Sequence, residues 1–121
     1  FCSTLGGVGM RRLILALAMV VMVSPAWGGV YLDGNDLHLY CSDKADKLSE
    51  GVCYGYLNAM SDSSSGDNRG FDGIKFCTPE LSNPRQLRDV VYKWLDDNPQ
   101  HRHFAAASLV ADALAEAWPC P

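Results

Sequence analysis

The sequence predicts a small all-α domain of four helices, with two disulfides and one long polar loop. Apolar residues recur at intervals of three and four in several segments, and no segment shows the alternation typical of a strand. Two Asn-Pro pairs, Asn83-Pro84 and Asn98-Pro99, combine an N-cap residue with a proline at the first helical position. These observations favour helices packed on helices.

The first 28 residues have the features of a secretory signal. Two arginines precede an apolar run over residues 13–23, and small residues at Ala26 and Gly28 fit a leader-peptidase site. The run of eleven residues is shorter than the roughly 20 that a membrane-spanning helix needs. We expect cleavage after Gly28, with Ala26 as a near alternative, and interpret the residues before Met10 as lying upstream of the start. Residues 29–121 then form one exported, periplasmic domain.

The charge of this domain limits its partners. Without Arg11 and Arg12, eight basic residues remain against 14 acidic ones, a net charge of −6. Such a domain is poorly suited to bind nucleic acid or an anionic membrane, and a basic protein surface is the more suitable partner.

Four cysteines remain in the exported part: Cys41, Cys53, Cys77 and Cys120. An even number in an oxidising compartment predicts two disulfides, and three pairings stay open. A zinc site is the rival interpretation, but the sequence contains no CxxC pair. We therefore expect no metal.

The first two helices are predicted at about residues 35–41 and 44–60. Asp33 or Asn35 can cap the first helix. The second is expected to bury four residues at helical spacing: Leu48, Val52, Tyr56 and Ala59. Gly51 and Gly55 would then allow close packing against the alanines of the fourth helix.

The third and fourth helices are predicted from Asn83-Pro84 to Asn98, and from Pro99 to Trp118, as a tight αα-hairpin. The expected buried positions of the third are Leu87, Val90, Val91, Trp94 and Leu95, and those of the fourth are Phe104, Ala107, Ala111, Leu114 and Trp118.

The long polar loop covers residues 61–75 and is rich in Ser, Asp, Asn and Gly. It is either a binding loop or a mobile excursion. An EF-hand is excluded, since Asp67 occupies the position of the required glycine and Gly73 that of the bidentate glutamate.

No arrangement of residues points to catalysis. With the cysteines oxidised, His38, His101 and His103 are the remaining candidates, and none belongs to a recognisable catalytic motif. The sequence predicts a protein that is not an enzyme and needs no cofactor. Asp96 and Asp97 end the third helix, where negative charge opposes the helix dipole. This is a mild indication of function, although chance on a variable surface also explains it.

Several segments appear in an ordered pattern that resembles the Rap/Tai family of type VI secretion immunity proteins. They are Gly34-Asn35-Asp36-Leu37 through Cys41, residues 51–57 around Cys53, Phe76-Cys77-Thr78-Pro79, residues 86–95, Asn98-Pro99, His101-Arg102-His103, Ala113-Leu114, and Ala117-Trp118-Pro119-Cys120. The resemblance implies a periplasmic helical inhibitor without a cofactor, which docks on a peptidoglycan-cleaving amidase effector and blocks its cleft. It also implies that a homodimer is possible. The alternative is an HdeA-like periplasmic stress chaperone, which would expose apolar surface in acid.

The partner-binding surface is predicted at the junction of the third and fourth helices. Pro99 and two helix ends make this junction rigid, so docking there loses less conformational entropy than ordering a Ser/Gly-rich loop. The predicted residues are Asp96, Asp97, Asn98, Gln100, His101 and Arg102, with residues 61–75 as the alternative.

Overall fold

The computed structural model describes residues 31–64 and 70–121. These residues form four α-helices, α1 (Gly34–Tyr40), α2 (Lys47–Ser63), α3 (Pro84–Asp97) and α4 (Ala106–Ala117), and a short 3₁₀ turn, Pro99–His101. The all-α prediction is confirmed. The predicted signal peptide and the centre of the polar loop lie outside the described residues.

Side-chain caps fix where three of the helices begin. Asp33 forms a capping box with Asp36, which starts α1. Asp46 accepts from the Ser49 amide at 2.7 Å, and α2 therefore begins three residues later than predicted. Asn83 caps α3 at the predicted position.

One hydrophobic core lies between the four helices. The helices α3 and α4 pack most closely on each other, and α1 and α2 contact both. The described buried apolar residues are Leu37, Cys41, Cys53, Leu57, Met60, Phe76, Leu87, Val91, Leu95, Ala106, Leu109, Val110, Ala111, Ala113 and Leu114. Of the predicted core of α3 and α4, five residues are buried and four are half-buried against the core, while Phe104 is exposed. The buried five are Leu87, Val91, Leu95, Ala111 and Leu114, and the half-buried four are Val90, Trp94, Ala107 and Trp118.

The predicted buried face of α2 is wrong. Leu48 is 80% exposed and Val52 38% exposed, and Ala59 also faces solvent, while Tyr56 is half-buried. The residues that α2 buries instead are Cys53, Leu57 and Met60. The disulfide explains this rotation, because Cys53 must face Cys41 and brings with it the residues four and seven positions later.

The predicted packing of glycines against alanines is wrong for the same reason. A Cβ atom added at Gly51 or Gly55 would meet nothing within 4 Å, so both glycines face open space. The helix α4 instead places its small residues against the common core.

The fourth helix begins at Ala106 rather than Pro99. Asn98 makes no side-chain cap for the 3₁₀ turn. The carbonyl groups of Arg102 and Phe104 accept hydrogen bonds from the amides of Asn35 and Gly34, both at 3.0 Å. These carbonyls satisfy the free amides at the start of α1 and do not form a helical turn of their own. Phe104 is 51% exposed and is not part of the core.

The polar loop is shorter than predicted. Its first residues continue α2 to Ser63, and Ser64 ends that helix. At the other end, Phe71 and Ile74 pair across a turn formed by Asp72 and Gly73, both at positive φ, and Gly70 at positive φ precedes it. Residues 65–69 of the predicted loop lie outside the described residues.

The two predicted disulfides are confirmed, and the structure supplies their pairing. Cys41–Cys53 joins the end of α1 to α2, and Cys77–Cys120 joins the segment before α3 to the carboxyl terminus. Their sequence separations of 12 and 43 residues correspond to about 3 and about 4 kcal/mol of loop-entropy stabilisation, respectively.

Candidate interaction surface

The predicted partner-binding residues do lie together, at the junction between α3 and α4. We call residues 96–104 the tip. It contains the end of α3, the 3₁₀ turn and the turn residues that follow. Backbone hydrogen bonds from Gly34 and Asn35 hold the tip against the start of α1, so three elements position it.

Asp96 is compensated within the chain. Its Oδ1 atom lies 3.1 Å from His38 Nε2 and 3.8 Å from an Arg102 guanidinium nitrogen. Arg102 also donates to the carbonyl oxygens of Leu95, at 2.7 Å, and Asp96, at 3.3 Å. The guanidinium group therefore covers the last carbonyls of α3, where a cation is favourable.

Asp97 and Asn98 also have partners. Asp97 forms an ion pair with Lys93 at 2.6 Å, and this hydrogen bond and charge raise the pKa of Lys93 above its usual value. Asn98 donates to the Trp94 carbonyl oxygen at 2.8 Å, and Gln100 donates to Asn98 at 3.4 Å. The acidic pair that seemed locally unfavourable in the sequence is thus balanced by internal contacts.

His38 is a residue of this surface that the sequence did not assign to it. Its ring stacks on Tyr92 with 4.9 Å between centroids and an interplanar angle of 10°. Its contact with Asp96 joins residues 58 positions apart, so only the tertiary structure brings α1 to the tip.

Four ring side chains form a row that runs from Trp94 of α3 into the tip. His101 lies between Trp94, at 6.2 Å, and Phe104, at 6.0 Å, in stacked orientations, and His103 lies 4.1 Å from Phe104. His101, His103 and Phe104 are exposed, and Trp94 is half-buried. Sequence reasoning placed Phe104 in the core because its spacing fits a helical stripe, and so missed this row. Trp94 does pack against the core, as predicted, and its ring also contacts His101.

A shallow groove continues from the aromatic row between α3 and α4. Trp94 and Glu116 meet across it, with the indole Nε1 donating to a carboxylate oxygen at 2.8 Å. Val90 and Ala113 contribute apolar surface, and the Lys93–Asp97 ion pair lies at its edge.

The described part of the chain contains neither a candidate metal site nor a candidate membrane-spanning helix. No group of three or more His, Cys, Asp or Glu side chains among those residues is arranged to hold a metal ion. The helices of the described ranges are all too short or too polar to cross a membrane.

Comparison with known proteins places this architecture in a family. The family model of the Rap1a immunity proteins matches residues 33–120, which include all four helices, both disulfides and the tip. A comparison with curated proteins finds no match. Because the family model covers most of the chain, this protein belongs to the Rap1a immunity proteins, non-enzymatic inhibitors of type VI secretion effectors.

Proposed function

We propose that this chain is a periplasmic immunity protein that binds a peptidoglycan-amidase effector and blocks its catalytic cleft. The family match is the observation that carries the proposal. The amidase target and the periplasmic location follow from the resemblance and the signal-like leader, while the disulfides agree with an oxidising compartment. The stress-chaperone alternative gains no support from the family match.

The tip is the surface that we propose to enter or cover the cleft. Contacts from Asn35, His38 and Arg102 hold its backbone and its acidic side chains in place. A preorganised surface loses little conformational entropy on binding. The exposed rings of His101 and Phe104 supply rigid contact area of the kind that often dominates binding energy.

The test uses the secreted effector that we expect a neighbouring gene to encode. Purified effector should cleave peptidoglycan, and one equivalent of the disulfide-bonded chain should stop it. Replacing both His101 and Phe104 with alanine should weaken inhibition at least about tenfold, because both rings would leave the contact surface. Thermal unfolding of the same variant should change little, since both side chains are exposed.

Leu81→Ala is the matched control, because Leu81 is 96% exposed in the segment before α3 and lies outside the tip. It should inhibit like the unmodified chain. Full inhibition by the His101/Phe104 variant would reject the tip as the contact surface. An adjacent effector with no amidase activity would reject the proposed target class while leaving family membership intact.

A second copy of the chain is the other partner that we propose, through the exposed face of α2. Leu48 and Val52 are exposed there and form an apolar patch. Light scattering of the purified chain should give the mass of a dimer, and Val52→Asp should give the mass of a monomer. A monomeric unmodified chain would contradict this part of the proposal.

A further inference from the structure

We propose that the groove between α3 and α4 receives an arginine side chain of the partner protein. The inference centres on Trp94 and Glu116, which are not among the predicted partner-binding residues, and it rests on the proposed function only in taking the partner to be an effector. Two features of the groove support the proposal, namely its shape and the charge at its edges.

The groove has the size of a subsite for one side chain. Its volume is about 280 Å³, and Val90, Trp94, Ala113 and Ala117 contribute its apolar lining. The hydrogen bond from Trp94 to Glu116 joins the two helices across the groove. The indole ring and the carboxylate are therefore held in place before a partner arrives.

The edges of the groove carry more negative than positive charge. Asp97 and Lys93 neutralise each other at 2.6 Å. Glu116 accepts from the neutral indole, and no lysine or arginine of the described ranges forms an ion pair with it. A fixed carboxylate beside an aromatic ring is thus left without a cation.

An arginine fits this combination better than the other side chains. Its aliphatic stem can lie on the apolar lining, and its planar guanidinium group can stack on an indole and donate to a carboxylate. The net charge of −6 in residues 29–121 adds a long-range attraction for a basic surface. Charge complementarity at Glu116 therefore specifies the occupant.

The experiment uses a blocked Gly-Arg-Gly peptide and its citrulline counterpart, which has the same shape without the charge. Each is titrated into the isotopically labelled, disulfide-bonded chain at constant ionic strength, and the indole N–H signal of Trp94 is followed by NMR. Trp94→Phe assigns that signal. We expect the arginine peptide to bind about fivefold more tightly than the citrulline peptide.

Glu116→Gln removes the charge while retaining an oxygen that can accept from Trp94, and it should abolish the preference for arginine. Glu80→Gln is the matched control, since it removes one exposed carboxylate away from the groove and should preserve that preference. Equal binding of the two peptides, or an unchanged preference in Glu116→Gln, would overturn the inference. Because no effector is used, such a result would leave the amidase proposal standing.

Discussion

Gly34→Ala should loosen the contact between α1 and the tip, because the structure leaves no room for a methyl group there. Gly34 is buried at the first position of α1. A Cβ atom would lie 2.7 Å from the Arg102 carbonyl oxygen and 2.8 Å from Arg102 Cα, and would also overlap Leu109 Cδ1. The two Arg102 atoms belong to the backbone, so the clash cannot be relieved by a side-chain rotation.

The cost can be worked out from this geometry. Overpacking of this kind destabilises by about 1–3 kcal/mol. Separating the backbones would also lengthen the hydrogen bond from the Asn35 amide to the Arg102 carbonyl, now 3.0 Å. For a domain of this size, we expect the melting temperature to fall by about 5–20 °C.

Gly55→Ala provides the matched control. Gly55 lies within α2, and a Cβ atom there meets nothing within 4 Å. Alanine should therefore stabilise the helix by about 0.5–1 kcal/mol. Urea unfolding of both variants, with the disulfides intact, measures the free energies. Equal stability of the two variants would refute the proposed close approach of α1 to the tip.

Two further predictions concern α2. Leu57→Ala should destabilise the fold by about 2–5 kcal/mol because Leu57 is buried. Leu48→Ala should change the stability of the monomer by less than about 0.5 kcal/mol because Leu48 is exposed. Similar losses of the two variants in denaturant unfolding of the monomer would contradict the observed rotation of α2. The hydrogen bond from the Ser49 amide holds the pKa of Asp46 below its ordinary value of 3.8. The charged carboxylate of Asp46 therefore stabilises the fold above that pH, and this stabilisation is lost as the pH falls through the lowered pKa. The melting temperature of the unmodified chain should accordingly exceed that of Asp46→Asn at neutral pH, with a difference that narrows in acid; a difference independent of pH would show that the charge contributes nothing.

Local signals in the sequence determined much of this protein. The caps at Asp33 and Asn83 and the spacing of Leu87, Val91 and Leu95 depend on residues within one or two turns of each other. Periodicity and capping act over such distances, so the helical class and the course of α3 could be predicted. The even cysteine count predicted two disulfides, and the ordered motifs indicated the family before the family model confirmed it.

Contacts between distant residues decided the rest. The bridge from Cys41 set the rotation of α2, which exposed Leu48 although its spacing suited a buried stripe. The amides at the start of α1 donate hydrogen bonds to the carbonyls of Arg102 and Phe104. These residues therefore do not continue a helix, α4 begins only at Ala106, and Phe104 remains at the surface. Periodicity identifies which residues share a face of a helix. Whether that face points to the core or to solvent depends on the packing, disulfide and hydrogen-bond partners, and those partners lie far away in the chain.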